Sequence, residues 1–254
     1  MASLSGRPVA LVTGAARGLG RTTAQRLAAD GFAVAVNDVV LDDRLTGLAR
    51  ELDGHAVAAD ISADGAASSI VAEVEEALGS VDVLVANAAA MAMGPFVEAD
   101  PASWWHQVDV NLSGHFRLVQ AVIPAMRRRG SGRIVVIASG WGVVGHPNAT
   151  AYAASKSGLI ALTKGLGREL GPDGILTNAV APAYVDTPQL QVDADDLGIS
   201  LAQMREQYAQ LIPTRRLQTP EEVAGAVSFL AGPASGGVIG QVLQPNGGIT
   251  RTRA

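Results

Sequence analysis

"LVTGAARGLGRTTAQRLAADG", residues 11–31, decides the fold. A short β-branched run ends at Thr13, Gly14, Gly18 and Gly20 follow, and an amphipathic segment begins at once. A strand passing through a glycine turn into a helix opens a βαβ unit that can seat a pyrophosphate. Glycine lets the backbone approach the anion, and the helix N-terminus offers free N–H groups and a positive dipole end. A bare glycine cluster also makes ordinary tight turns, so its place between apolar run and helix carries the reading. Arg17 and Leu19 lie within the same turn.

Outward from this stretch, apolar runs alternate with longer segments of helical period. The runs are 8–14, 33–38, 55–60, 81–87, 133–139, 175–182 and 240–248. Several are β-branched without polar alternation, as strands buried on both faces are. Between them, 19–30, 65–78, 102–129, 151–170 and 220–231 have helical character. The alternation predicts an α/β fold: a single-domain, Rossmann-type, doubly wound parallel sheet of about seven strands with helices on both faces. That domain is expected to span 1–254, with an irregular excursion at 183–214 that is either a functional lid or a plain surface loop. Within it, 200–211 has a short amphipathic pattern.

Of the 254 residues, 48% are hydrophobic and 17% charged, a globular balance with enough apolar surface for a large core. The net charge of -5, with no basic stripe, argues against a nucleic-acid surface; "RRRG" at 127–130 reads as a solvated helix end. No apolar run approaches the roughly 20 residues that span a bilayer. The N-terminus lacks a signal-peptide pattern. There is no cysteine, which excludes disulfides and thiolate metal sites and fits a cytoplasmic protein. None of His55, His106, His115 and His146 is spaced as a metal pair, so no metal site is expected. His115 shares a helix face with Asn111 and reads as a packing or interface residue.

Asp38 ends the second strand, 18 positions after Gly20. An acid about 20 residues past the glycine turn accepts hydrogen bonds from the adenosine ribose hydroxyls and repels a 2′-phosphate, so Asp38 favours NAD over NADP. Arg17 pulls the other way, as a cation that could attract that phosphate. Asp60, just after the third strand and followed by Ile61, either reaches the adenine or serves as a turn or N-cap aspartate.

"YAASK", residues 152–156, places Tyr152 and Lys156 four apart, on one face of a helix. A phenol titrates near 10, and a neighbouring ammonium is expected to favour phenolate and lower that value towards working pH.

"TGAARGLG" (13–20), "NAAA" (87–90), Asn111 in "VDVNLSG", Ser139, "YAASK" and "NAVAPAYVDTP" (178–188) resemble the short-chain dehydrogenase/reductase family in order and spacing, over about residues 7–249. The resemblance implies a nicotinamide-dependent oxidoreductase that interconverts a secondary alcohol and a ketone. It implies that Tyr152 moves the proton and Lys156 both tunes it and holds the nicotinamide ribose. Ser139 would hydrogen-bond the substrate oxygen, and Asn111 would support a water-linked proton path to the lysine. Gly14, Arg17, Gly18, Leu19, Gly20, Asp38, Asp60, Ile61, Asn87, Tyr152, Lys156, Pro182, Val185 and Thr187 would hold the dinucleotide. Thr187 would bind its carboxamide, and Asn87 would tie the central strands together. Trp141, His146 and Tyr184, with Ser139 and Tyr152, would meet a carbonyl or secondary-alcohol substrate with an apolar or ring-bearing body. The family pattern also implies a homotetramer, or a homodimer, paired through 102–129 and 151–170. The chain departs from it at Ala88, Ala90 and Ala183, where the family carries Asn, Gly and Gly; the added methyls trim space near the nicotinamide. Two other readings stand beside this one: an NADPH-linked 3-oxoacyl-thioester (acyl-carrier-protein) reductase, and a catalytically silent dinucleotide-binding sensor or scaffold.

Overall fold

The structure is a computed structural model and describes residues 6–250; residues 1–5 and 251–254 of the expected domain lie outside the described residues. Seven strands form one sheet: β1 (Val9–Thr13), β2 (Ala33–Asp38), β3 (His55–Ala58), β4 (Val81–Ala86), β5 (Gly132–Ile137), β6 (Ile175–Val180) and β7 (Val242–Leu243). Their order is β3-β2-β1-β4-β5-β6-β7 and every pairing is parallel. The chain therefore winds out from β1 in one direction, then in the other from β4. The crevice where the order reverses opens at the carboxyl ends of β1 and β4, where such sheets bind ligands.

Among the described residues, ten α-helices cover the sheet. They are α1 (Gly18–Ala29), α2 (Asp43–Glu51), α3 (Ala66–Leu78), α4 (Pro101–Val108), α5 (His115–Arg129), α6 (Trp141–Val144), α7 (Thr150–Leu170), α8 (Gln189–Asp196), α9 (Leu201–Leu211) and α10 (Pro220–Ala231). The β-branched strands are buried on both faces, so each strand feeds two cores. Leu11, Leu84, Ile134 and Ala179 face α3, α5 and α7 through Ile70, Leu118 and Leu159. Val12, Val36, Val85, Val135 and Val180 face α1, α2 and α10 through Leu27, Leu48 and Val227. A third, smaller cluster (Leu190, Ala194, Met204, Ile212, Leu217) holds α8 and α9 over the cleft.

Three expectations are sharpened. The helical segment expected over 102–129 is interrupted by a π turn at Asp109–Gly114 that carries Asn111. Such widened turns concentrate at functional sites. The strand expected over 240–248 shrinks to Val242–Leu243, because Pro245 has no N–H for a ladder and Gly247 and Gly248 turn the chain at positive φ. The excursion at 183–214 is mostly helical. The amphipathic pattern at 200–211 is α9, opened by a Ser200–Gln203 capping box. The polar segment "QLQVDADD" folds as α8 because tertiary packing of Leu190 and Ala194 overrides its weak local signal. Gly130, left-handed, ends α5 after the three arginines, as the charge run implied.

Candidate active site

The glycine turn is built by close approach. A Cβ on Gly20 would stand 2.1 Å from the Gly14 carbonyl oxygen, and one on Gly14 would stand 2.8 Å from the Ala88 Cα. Gly14 also has φ +64, which side chains rarely adopt. The turn thus presses α1 against the end of β1, and only glycine fits at both positions. Neither a side-chain cap nor an acidic residue stands in the first turn of α1, and Gly18, Leu19 and Gly20 of that turn line the cleft. Asn87 locks the same corner: its Nδ2 donates to the Thr13 carbonyl at 2.8 Å and to the Gly14 carbonyl at 3.2 Å. It ties β4 to β1 as the sequence implied.

One elongated cleft of about 520 Å³ runs from this corner across the ends of β4, β5 and β6. All fourteen residues expected to hold the dinucleotide line it, from Gly14, Arg17, Gly18, Leu19 and Gly20 through Asp38, Asp60, Ile61 and Asn87 to Tyr152, Lys156, Pro182, Val185 and Thr187. Asp38 stands at the end of β2; its Oδ2 accepts the Ala16 N–H at 3.0 Å and its Oδ1 the Val39 N–H at 2.9 Å. Asp60 lines the cleft and makes the turn the sequence allowed, accepting from the Ser62 N–H and hydroxyl. The Ser62 hydroxyl holds its carboxyl below the usual range.

At the other end stand Ser139, after β5, and Tyr152 and Lys156 on α7. The Ser139 Oγ accepts the Trp141 N–H at 3.1 Å, which orients the hydroxyl at the cleft wall. Lys156 is 1% exposed, and its Nζ donates to the Ile137 carbonyl at 2.8 Å, 5.4 Å from the centre of the Tyr152 ring. The electrostatics differ from the expectation that the lysine lowers the phenol. Burial pushes the Tyr152 phenol up to about 12, while the Ser139 hydroxyl beside it pulls down and the Asp193 charge pushes further up. Burial also pushes the Lys156 ammonium down to about 7. Desolvation outweighs pairing here because the Nζ is turned towards a carbonyl of β5 rather than the phenol oxygen.

Asn111 does not line the cleft. It is fully buried, its Oδ1 accepts the Ala90 N–H at 2.8 Å, and its Nδ2 donates to the Ala90 carbonyl at 2.9 Å and to the Ser155 Oγ at 3.2 Å. Ser155 in turn donates to the Tyr152 carbonyl at 2.7 Å. Asn111 thus clamps the "NAAA" loop to α7 from behind the residues that line the cleft.

Of the expected substrate residues, Trp141 and Tyr184 line the cleft and His146 does not. His146 stacks on the outer side of Trp141, centroids 3.8 Å apart, with its Nδ1 on the Pro147 carbonyl. The same loop carries Asn148 at φ 62. Met91 and Leu190 line the cleft. Among the lining residues that carried no sequence signal are His106, Asp193 and Tyr208. They come from α4, α8 and α9, so only the packing of those helices brings them in. Among the described residues no group of His, Asp and Glu could hold a metal ion, and no helix is long and apolar enough to cross a membrane.

A doubly wound parallel sheet, a glycine turn at its switch point and a Ser-Tyr-Lys constellation at the far end of the same cleft define a dinucleotide-dependent oxidoreductase of the short-chain type. The comparisons agree. The family model described as enoyl-(acyl carrier protein) reductase matches residues 14–250. A short-chain dehydrogenase/reductase, eriH, of Hericium erinaceus is 39% identical, covering 96% of this chain and 98% of its own. The 3-oxoacyl-[acyl-carrier-protein] reductase FabG of Staphylococcus epidermidis is 35% identical over 94% of this chain and 98% of its own. The crystal structure of a single-substitution variant of actinorhodin polyketide ketoreductase with NADPH superposes with a TM-score of 0.93 at 36% identity, covering 99% of this chain and all of the other. This chain belongs to the short-chain dehydrogenase/reductase family.

Proposed function

We propose that residues 6–250 act as one dinucleotide-binding unit that interconverts a ketone and a secondary alcohol with NAD(H). The observation that carries the chemistry is the convergence of Ser139, Tyr152 and Lys156 on the cleft that begins at the glycine turn. A dinucleotide fits this cleft: the cradle of Gly14 and Gly20 leaves room for backbone approach and not for a Cβ, and the uncapped first turn of α1 suits a pyrophosphate. Arg17, Gly18, Leu19 and Gly20 would hold the phosphates, Asp38 the adenosine ribose, Asp60 and Ile61 the adenine, Lys156 the second ribose, and Pro182, Val185 and Thr187 the nicotinamide. When bound, the cofactor supplies the hydride to the carbonyl carbon, or takes it from the carbinol, so that C=O and CH–OH interconvert as the nicotinamide is oxidised or reduced.

The chain's own task is the proton and the oxygen. The Ser139 hydroxyl donates to the substrate oxygen and polarises the carbonyl. The Tyr152 phenol, raised to about 12, stays protonated at neutral pH and is poised as the acid that protonates the forming alkoxide in reduction. Lys156, near its midpoint at neutrality, can restore that proton. Asn111, through Ser155 and the Ala90 loop, keeps α7 in register with the cleft. The pairing through α5 and α7 that the family pattern implies is supported by a groove between them whose mostly apolar lining, Phe116, Val119, Ile123, Leu162 and Leu166 among it, is edged by Gln120, Arg127 and Glu169.

Asp38 supports NAD(H) over NADP(H): it lines the cleft at the end of β2, and a carboxylate there would repel a 2′-phosphate. Against it stand Arg17 and the NADPH in the superposed ketoreductase. The relative named as a 3-oxoacyl-[acyl-carrier-protein] reductase favours a second reading, NADPH-linked reduction of a 3-oxoacyl thioester. Initial rates with each cofactor, on a ketone panel and on acetoacetyl-acyl-carrier protein, decide between them. NADH-linked ketone reduction supports the first reading. A strong NADPH preference with the thioester supports the second. Dinucleotide binding without turnover on any of them would leave only a sensor.

A further inference from the structure

Three aromatic rings from three elements meet at the substrate end of the cleft. Trp141 opens α6, Tyr184 follows β6, and Tyr208 lies on α9. Tyr184 and Tyr208 are stacked, centroids 4.1 Å apart and planes at 25°. Trp141 meets Tyr184 edge-on at 6.1 Å and 75°, and meets the Tyr152 ring edge-on at 5.9 Å and 82°. These are the separations at which aromatic rings attract one another. The result is a continuous aromatic wall that begins at the reacting phenol and runs outward under α9.

A linear acyl chain gains only apolar contact from such a wall. A flat ring gains that contact plus the geometry-specific attraction of its quadrupole. Because Trp141 packs edge-on against the Tyr152 ring at 5.9 Å, a carbonyl attached directly to a ring seated beside Trp141 would lie near the phenol. Asp193, which accepts from the Gln189 Nε2 at 3.1 Å, also lines the cleft, and its charge acts on both Tyr152 and Tyr208, which suits a neutral body there. We infer that the Trp141–Tyr184–Tyr208 wall selects neutral ketones whose carbonyl is attached to an aromatic ring, with Tyr208 as a specificity-determining residue. The inference rests on the oxidoreductase reading above and gives its substrate class.

Three methyl ketones of equal carbon count isolate the effect: phenyl, cyclohexyl and hexyl methyl ketone. The enzyme, with NADH, is assayed for kcat/KM on each, alongside Tyr208→Leu and Tyr208→Phe. Because intrinsic reactivities cancel between variants, the readout is the phenyl-to-hexyl ratio. Tyr208→Leu is expected to lower that ratio about tenfold, while Tyr208→Phe keeps the wild-type ratio. In parallel, calorimetry measures phenyl and hexyl ketone binding to the enzyme–NAD complex, with the same ratio expected to fall in Tyr208→Leu. An unchanged ratio in Tyr208→Leu, in either measurement, overturns the inference. If no ketone is turned over, the oxidoreductase reading fails, and the binding ratio alone decides whether the wall prefers an aromatic ring.

Discussion

The Lys156 Nζ stands 5.4 Å from the centre of the Tyr152 ring and donates its hydrogen bond to a carbonyl of β5 instead. The two groups share a helix face and a buried environment. Burial drives their titrations in opposite directions: the phenol rises to about 12 and the ammonium falls to about 7. At neutral pH this leaves a protonated phenol beside a lysine near its midpoint, an arrangement suited to proton donation.

Replacing Tyr152 with Phe removes that donor and little else, since the ring keeps its edge-on packing against Trp141. Turnover is expected to fall by about 10²–10⁴, the usual weight of a positioned acid–base group. NADH affinity, followed by fluorescence titration, should stay within about twofold. Retained turnover would show that the proton comes from elsewhere.

The lysine makes a prediction about stability. Its folded-state pKa is depressed from 10.5 to about 7, so between those values the unfolded chain binds a proton that the folded chain does not. This group's contribution to stability therefore falls as pH drops from about 10.5 to about 7, and is constant below. Lys156→Met removes the dependence. Thermal unfolding of the cofactor-free protein should show the variant gaining on wild type as pH is lowered from 10 to 7, with no further gain at pH 6. A gap that does not change with pH contradicts the burial argument.

His115 obeys the same logic at lower pH. It is fully buried, and neither ring nitrogen makes a well-formed hydrogen bond. Burial, with the charge of Lys156 adding to it, pushes its pKa down to about 3, against a small upward pull from the Ala88 backbone. Between 6.5 and about 3 the unfolded state alone is protonated, so this residue's contribution to stability declines as pH falls through that window. His115→Leu should leave unfolding at pH 7 little changed, because it replaces unsatisfied polar atoms with apolar ones of similar volume. Urea titrations at pH 4.5 should then find the variant more stable than wild type. Equal loss in both proteins assigns the acid sensitivity to other groups.

Asp38→Asn keeps an oxygen for the Ala16 N–H and removes the charge. The ratio of kcat/KM for NADPH to that for NADH is expected to rise by at least about tenfold, as a like-charge repulsion at close range is lifted. No change in the ratio would transfer the cofactor choice to Arg17 or another residue.

How much of this was legible in the sequence follows from how local each signal is. The glycine turn, the β-branched strands and the five long helical segments are set by neighbours within a few positions, so the doubly wound sheet could be read directly. Asp38, Ser139, Tyr152 and Lys156 sit at strand ends or on one helix face, places that the element pattern already defines. The polar segment of α8 gave no such pattern, because its helix depends on Leu190 and Ala194 packing with Met204, Ile212 and Leu217 from further along the chain. His146 was expected at the substrate because it lies between Ser139 and Tyr152 in the chain, yet it stacks on Trp141 and does not line the cleft.

By itself, then, the sequence determined the fold and the family: a strand–glycine–helix unit, an acid at the end of the second strand and a tyrosine–lysine pair in helical phase are all short-range facts. Tertiary structure alone decided three things. It turned the lysine to Ile137, it withdrew Asn111 from the cleft into a clamp on Ala90 and Ser155, and it brought Tyr208 from α9 against Tyr184. Each depends on how distant segments pack and on how far burial outweighs charge pairing, and neither is encoded in the spacing of residues along the chain.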